Sequence, residues 1–134
     1  MKIFLDTADT EIIKKYWSTG LIDGITTNPS LIMKSGRNPE DVYQELVDLG
    51  VPDISMEVVG SDLEMYDEGI RLYEKFGPVC TVKVPCTREG LIVCKRLSEQ
   101  GIKVNVTLIF CAAQAVLAAK AGATYVSPFV GRLD

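Results

Sequence analysis

Lys83 stands in the middle of an apolar run, Val79-Cys80-Thr81-Val82-Lys83-Val84-Pro85. Burying a lone ammonium costs several kcal/mol unless it is paired or loses its proton, so a lysine in this setting is half of a buried ion pair or a reactive amine. Taken alone, the ion pair is the simpler outcome. Around it, however, polar groups recur steadily: Asp6, Asn28, Glu57, Lys83, Asn105 and Ser127 follow one another at steps of 22, 29, 26, 22 and 22 residues. Thr26 and Thr107 stand beside two of them. A neutral lysine amine in such company can attack a ketone or aldehyde to form a Schiff base, with carboxylates, hydroxyls and water moving the protons. The 134-residue chain has no histidine, which excludes Ser-His-Asp and Cys-His catalysis and imidazole ligation of a metal. Imine chemistry needs none of these, nor a cofactor.

The elements that would position these groups follow from the hydrophobic pattern. Runs rich in Val, Ile and Thr predict six strands, at Lys2–Asp6, Ile22–Thr27, Asp53–Val59, Val79–Pro85, Ile102–Thr107 and Thr124–Phe129. Segments of helical periodicity lie between them. Asp9–Thr19 places Ile12, Ile13, Tyr16 and Trp17 on one stripe, Asn38-Pro39-Glu40 opens a second helix, and Ser61-Asp62-Leu63-Glu64 has the form of a capping box. Thr87 opens a fourth helix and Ala112–Ala121 is the fifth. Strand alternating with helix is the pattern of parallel βαβ units, and the fold class read here is α/β. In such folds ligands bind at the carboxyl ends of the strands, where all of the recurring polar residues fall.

Composition narrows the partners. With 14 basic against 18 acidic residues the chain carries a formal charge of -4, and without a basic run it lacks the footprint of a nucleic-acid binder. No stretch approaches the roughly 20 apolar residues that span a bilayer, and Asp6 falls where a secretory leader would run apolar, so neither membrane nor export is expected. Cys80, Cys86, Cys94 and Cys111 show no metal-binding spacing and are expected to be reduced, as in a cytoplasmic protein.

Each candidate also has a plain structural explanation. Asp6 could cap the following helix, Glu57 could serve only to pair with Lys83, Thr26-Thr27-Asn28-Pro29 and Ser127-Pro128 could be turns, and Arg132 could be a solvated charge. These explanations do not account for a reactive or hydrogen-bonding group at the end of every strand. A signalling receiver domain has comparable length but wants an acidic pair after strand one, a phosphoacceptor aspartate ending strand three and a lysine on strand five, whereas this chain offers one acid, Asp6, then a glutamate, Glu57, and a lysine on strand four, Lys83.

Residues 24–32 (GITTNPSLI), 82–85 (VKVP), 104–110 (VNVTLIF), 117–122 (LAAKAG) and 125–132 (YVSPFVGR) closely resemble the small transaldolase family, which includes the fructose-6-phosphate aldolases. The resemblance implies a (β/α)8 TIM barrel and Schiff-base chemistry on sugar phosphates. On it, Lys83 matches the Schiff-base lysine and Asp6 the carboxylate that handles the C4 hydroxyl proton. Glu57 and Thr107 match the pair that positions the catalytic water. Asn28 and Asn105 match groups that bind substrate hydroxyls, with Thr26 supporting them and Ser127 on the same rim, and Arg132 matches a phosphate-binding arginine. The aldolases of the family have glutamine at the Glu57 position and tyrosine at the Phe129 position, so both residues favour the transaldolase reaction. Six βα units, residues 1–134, are expected to form one partial barrel domain without strands seven and eight and the C-terminal helices. The exposed edges of such a sheet favour association into a homo-oligomer, with little or no turnover by six units alone.

Overall fold

The computed structural model describes residues 1–131. Its strands are β1 (Phe4–Asp6), β2 (Gly24–Thr26), β3 (Ile54–Glu57), β4 (Cys80–Pro85), β5 (Lys103–Ile109) and β6 (Tyr125–Pro128). Its helices are α1 (Thr10–Trp17), α2 (Pro29–Lys34), α3 (Pro39–Leu49), α4 (Asp62–Phe76), α5 (Arg88–Glu99) and α6 (Ala112–Lys120), with a short 3₁₀ turn at Gly77–Val79. All six strands pair in parallel in chain order, β1-β2-β3-β4-β5-β6. This is an incomplete (β/α)8 barrel: among the described residues, five units of strand and helix and a sixth strand curl in one direction.

Strand parity explains the layering. Side chains alternate between the two faces of a strand. Ile25, Ile54, Met56, Val82, Val84, Val104 and Val106 all belong to one set and join the core, where Ile13, Val42, Leu46, Met65, Leu72, Val93 and Leu97 of the helices meet them. The other set is polar and faces the concave side. The curl is visible in one contact: the ring centroids of Phe4 on β1 and Tyr125 on β6 lie 5.4 Å apart, although four strands separate them in the sheet order.

Helix starts follow local capping chemistry. Asp9 accepts from the amides of Glu11 and Ile12, Asn38 from Glu40, Ser61 from Glu64 and Thr87 from Gly90, each satisfying amides that have no partner within the helix. Asp9 therefore takes the capping role considered for Asp6, which is left on the rim. Asn28-Pro29, considered as a simple turn, instead opens an additional helix, α2: Asn28 Oδ1 accepts from the Leu31 amide at 2.9 Å and Pro29 occupies the first turn. The predicted strands are found in order but most are shorter at their ends, while β5 runs two residues further than expected, to Ile109.

That extension contains an irregularity. Thr107 pairs with Ser127 and Ile109 with Pro128, so Leu108 is an extra residue in the ladder, and it has φ +61°. The inserted residue resets the parity of the strand end. Ile109 is thereby turned into the core, while Leu108 lines the concave cavity next to Thr107.

The junction of β4 and α5 depends on a missing side chain. A Cβ on Gly90 would lie 1.8 Å from the carbonyl oxygen of Pro85, a backbone atom that cannot move without displacing the end of β4. Gly90→Ala is expected to destabilise the fold by about 1–3 kcal/mol, the range for forced overpacking, measured as a lower urea midpoint at constant m-value. An unchanged midpoint would show that β4 and α5 are less closely fixed than this contact indicates.

Candidate active site

A cavity of about 960 Å³ opens on the concave side at the carboxyl ends of the strands. Asp6, Thr26, Asn28, Glu57, Lys83, Asn105, Thr107, Ser127 and Phe129 all line it, so the structure brings nine of the ten sequence-predicted site residues together. The tenth, Arg132, lies outside the described residues.

Sheet register sets the tiers. Glu57, Lys83, Asn105 and Tyr125 are consecutive cross-strand partners on β3 to β6, and Thr107 pairs with Ser127 one step nearer the mouth. At the other side of the cavity Thr26 Oγ1 donates to Asp6 Oδ1 at 3.0 Å, so the threonine holds the carboxylate against the β1–β2 seam. Asn105 is buried and oriented at both ends. Its Nδ2 donates to Ser55 Oγ at 3.2 Å and its Oδ1 accepts from Ser127 Oγ at 2.8 Å, which leaves a second amide hydrogen for another acceptor. Asn28 gives its oxygen to the α2 cap, so what it can offer a substrate is the amide N–H group.

Lys83 is 8% exposed, and its Nζ reaches the carbonyl oxygen of Thr27 at 3.4 Å. Among the described residues it enters no ion pair. Glu57 is its register neighbour and acts on it through space rather than in a salt bridge. Burial pushes the Glu57 carboxyl above its ordinary value of 4.5, and the nearby Lys83 charge pulls partly the other way. The arrangement supplies a buried amine, one carboxyl biased towards holding its proton, and a second carboxylate, Asp6, on the opposite wall. No group of three or more cysteine, aspartate and glutamate side chains among the described residues is placed to hold a metal ion.

The cysteines stand apart from this chemistry. All four are free; burial raises the Cys80 thiol to about 12 and the Cys94 thiol to about 11, which keeps both protonated.

The family model described as Transaldolase/Fructose-6-phosphate aldolase matches residues 3–134. The chain belongs to that family. Probable transaldolases from Nitrosopumilus maritimus (strain SCM1), Anaeromyxobacter dehalogenans (strain 2CP-C) and Paracoccus denitrificans (strain Pd 1222) are 57%, 58% and 56% identical to it. Each alignment covers 100% of this chain, whereas the chain spans only 60%, 62% and 62% of those relatives. Among solved structures, the carboxyl transferase domain from Rhizobium etli pyruvate carboxylase with pyruvate superposes with a TM-score of 0.60 at 16% identity, covering 94% of this chain and 26% of that one. At that identity the likeness speaks for the fold alone.

Sequence reasoning did not find Ser55, Tyr125 or Leu108. Ser55 sits two residues before Glu57 on the same strand face, a period-two signal that was available. Leu108 gave none, because a leucine in an apolar strand does not announce a left-handed conformation. At this position the usual residue order should invert: Leu108→Gly is expected to be more stable than Leu108→Ala by about 1 kcal/mol, since both delete the side chain and only alanine retains the left-handed strain. Paired denaturant titrations measure the difference; alanine the more stable of the two would show that the bulge is not strained.

Proposed function

We propose that this chain carries the Schiff-base half of a transaldolase site, which transfers a dihydroxyacetone unit from sedoheptulose 7-phosphate to glyceraldehyde 3-phosphate, giving erythrose 4-phosphate and fructose 6-phosphate. The observation that carries the reading is the buried Lys83 amine, in no ion pair among the described residues, sharing one cavity with Glu57 and Asp6. Lys83 Nζ attacks the ketose C2 carbonyl, and the carbinolamine loses water to form the imine. Glu57 and Thr107 hold the water that passes protons during this step, and a raised Glu57 is suited to donating as well as accepting one. Asp6 then takes the C4 hydroxyl proton as the C3–C4 bond breaks. The aldehyde leaves, and a three-carbon enamine remains on Lys83 until an acceptor aldehyde reverses the sequence.

The transfer reading over fructose-6-phosphate aldolase rests on two residues, Glu57 and Phe129. Phe129 lines the cavity where a tyrosine would place a hydroxyl near the enamine, and its ring packs on Phe110 with centroids 5.2 Å apart. Without that hydroxyl one group that would help protonate and release the enamine is missing, so the enamine awaits an acceptor. In this reading the substrates are sugar phosphates of the pentose phosphate pathway, with Arg132 taking the phosphate, in the cytoplasm. Val116, Leu117 and Val126 are exposed on α6 and β6 at one edge of the sheet, which supports association with further barrel strands or another copy.

Fructose 6-phosphate cleavage measured with and without an acceptor aldehyde tests the reading, on this chain and on a version extended to the length of its relatives. Product formation that requires the acceptor is expected; comparable release of free dihydroxyacetone without it would favour the aldolase.

Glu57 also makes a pH prediction. A carboxyl raised in the folded state keeps its proton to higher pH, so activity that needs the carboxylate should fall on an acid limb centred above 4.5. Glu57→Gln should remove that limb and lower the rate about 10²–10⁴-fold, the range for one acid-base group. A limb that persists in the variant would assign it to a different residue.

A further inference from the structure

Beneath the tier of Glu57, Lys83 and Asn105 lies a second polar cluster that the imine chemistry does not use. Asp53, immediately before β3, is 6% exposed and accepts from three different strands. Thr81 Oγ1 of β4 lies at 2.6 Å, Lys103 Nζ of β5 at 3.2 Å and Tyr125 OH of β6 at 2.7 Å. Thr81 and Lys103 are register partners of one another, two residues below Lys83 and Asn105 on their strands.

Tyr125 differs from them. Its Cα is in register with Asn105, on the catalytic tier, so its side chain must run down and across β5 and β4 to reach the head of β3. The ring thereby becomes part of the cavity floor, and Phe4 of β1 packs edge-on against it with an interplanar angle of 64°. Gly24 of β2 makes room for that contact: a Cβ there would come within 2.5 Å of the Phe4 ring. Partial burial, and then its bond to Asp53, raise the pKa of the phenol to about 12, which keeps it a donor to the carboxylate at neutral pH.

This bond matters for the site because of where β6 sits. Among the described residues β6 is bonded in the sheet only to β5, and its outward Val126 is exposed. The Tyr125–Asp53 bond is a second, independent constraint that fixes β6 against β3 across the concave face. Two residues beyond Tyr125 on the same face is Ser127, whose hydroxyl orients Asn105 at 2.8 Å.

We propose that Tyr125 is a positioning residue for ketose binding, its hydroxyl tying β6 to Asp53 so that Ser127 and Asn105 are held ready for the substrate hydroxyls. The proposal rests on the ketose reading of the cavity, and its test separates the two. Tyr125→Phe keeps the ring and the Phe4 contact and removes only the tie. The adduct formed with fructose 6-phosphate and borohydride is measured by intact mass as a function of ketose concentration, and amide hydrogen exchange is followed in both ligand-free proteins. Tyr125→Phe is expected to raise the half-saturating ketose concentration about tenfold and to speed exchange in residues 124–129 while α4 stays protected. A loss of fold would instead lower the trapped fraction without moving the half-saturating concentration, and would expose α4. Unchanged half-saturation overturns the role in binding, and unchanged exchange overturns the tie itself. If wild-type protein forms no adduct, the Schiff-base reading fails, and the exchange comparison still decides whether Tyr125 fixes β6.

Discussion

A curled parallel sheet whose concave face is polar must find a partner for every group it buries there. That constraint, beside the apolar core, fixes how the strands of this molecule are arranged. Among the described residues no buried side-chain nitrogen or oxygen is left without a hydrogen-bond partner. The bonds that achieve this run across the sheet rather than along it: Asn105 to Ser55, Ser127 to Asn105, Thr81 and Tyr125 to Asp53. A half-satisfied buried network is worse than an apolar one, so these bonds select one arrangement of the strands and hold the side chains that line the cavity.

The two carboxyls on β3 and at its head, half-buried Glu57 and buried Asp53, are treated in opposite ways, and the difference is what gives the cavity chemical potential. Asp53 is saturated by a hydroxyl, a phenol and the Lys103 ammonium. Glu57, two tiers above, shares its level with Lys83 but makes no salt bridge with it among the described residues, and burial biases it towards its neutral form. Because Asp53 is occupied by Lys103, it does not compete for Lys83. The amine is left buried, level with the Glu57 carboxyl and bonded only weakly to a backbone carbonyl 3.4 Å away. A lysine held this way has little to lose by forming a covalent bond.

Much of this was legible in the chain. Six Val- and Ile-rich runs, the capping residues Ser61 and Thr87, and the register-like recurrence of Asp6, Asn28, Glu57, Lys83, Asn105 and Ser127 all reflect local chemistry repeated once per βα unit. Three features were not legible, for a common reason. α2 begins at an Asn-Pro that reads equally well as a turn, and only the docking of Ile32 in the core decides for a helix. The bulge at Leu108 is set by how β5 and β6 must align, and the Tyr125–Asp53 bond joins residues 72 apart in sequence. Each is a tertiary event that no window of neighbouring residues contains.

The chemistry proposed for this cavity requires that Lys83, of all the lysines, be the nucleophile. Peptide mapping of the borohydride-reduced product formed with fructose 6-phosphate tests this most directly. A sugar adduct confined to Lys83 and lost in Lys83→Met is expected; an adduct on the cavity-rim Lys34 or the Asp53-bound Lys103, or none on any lysine, would contradict that role.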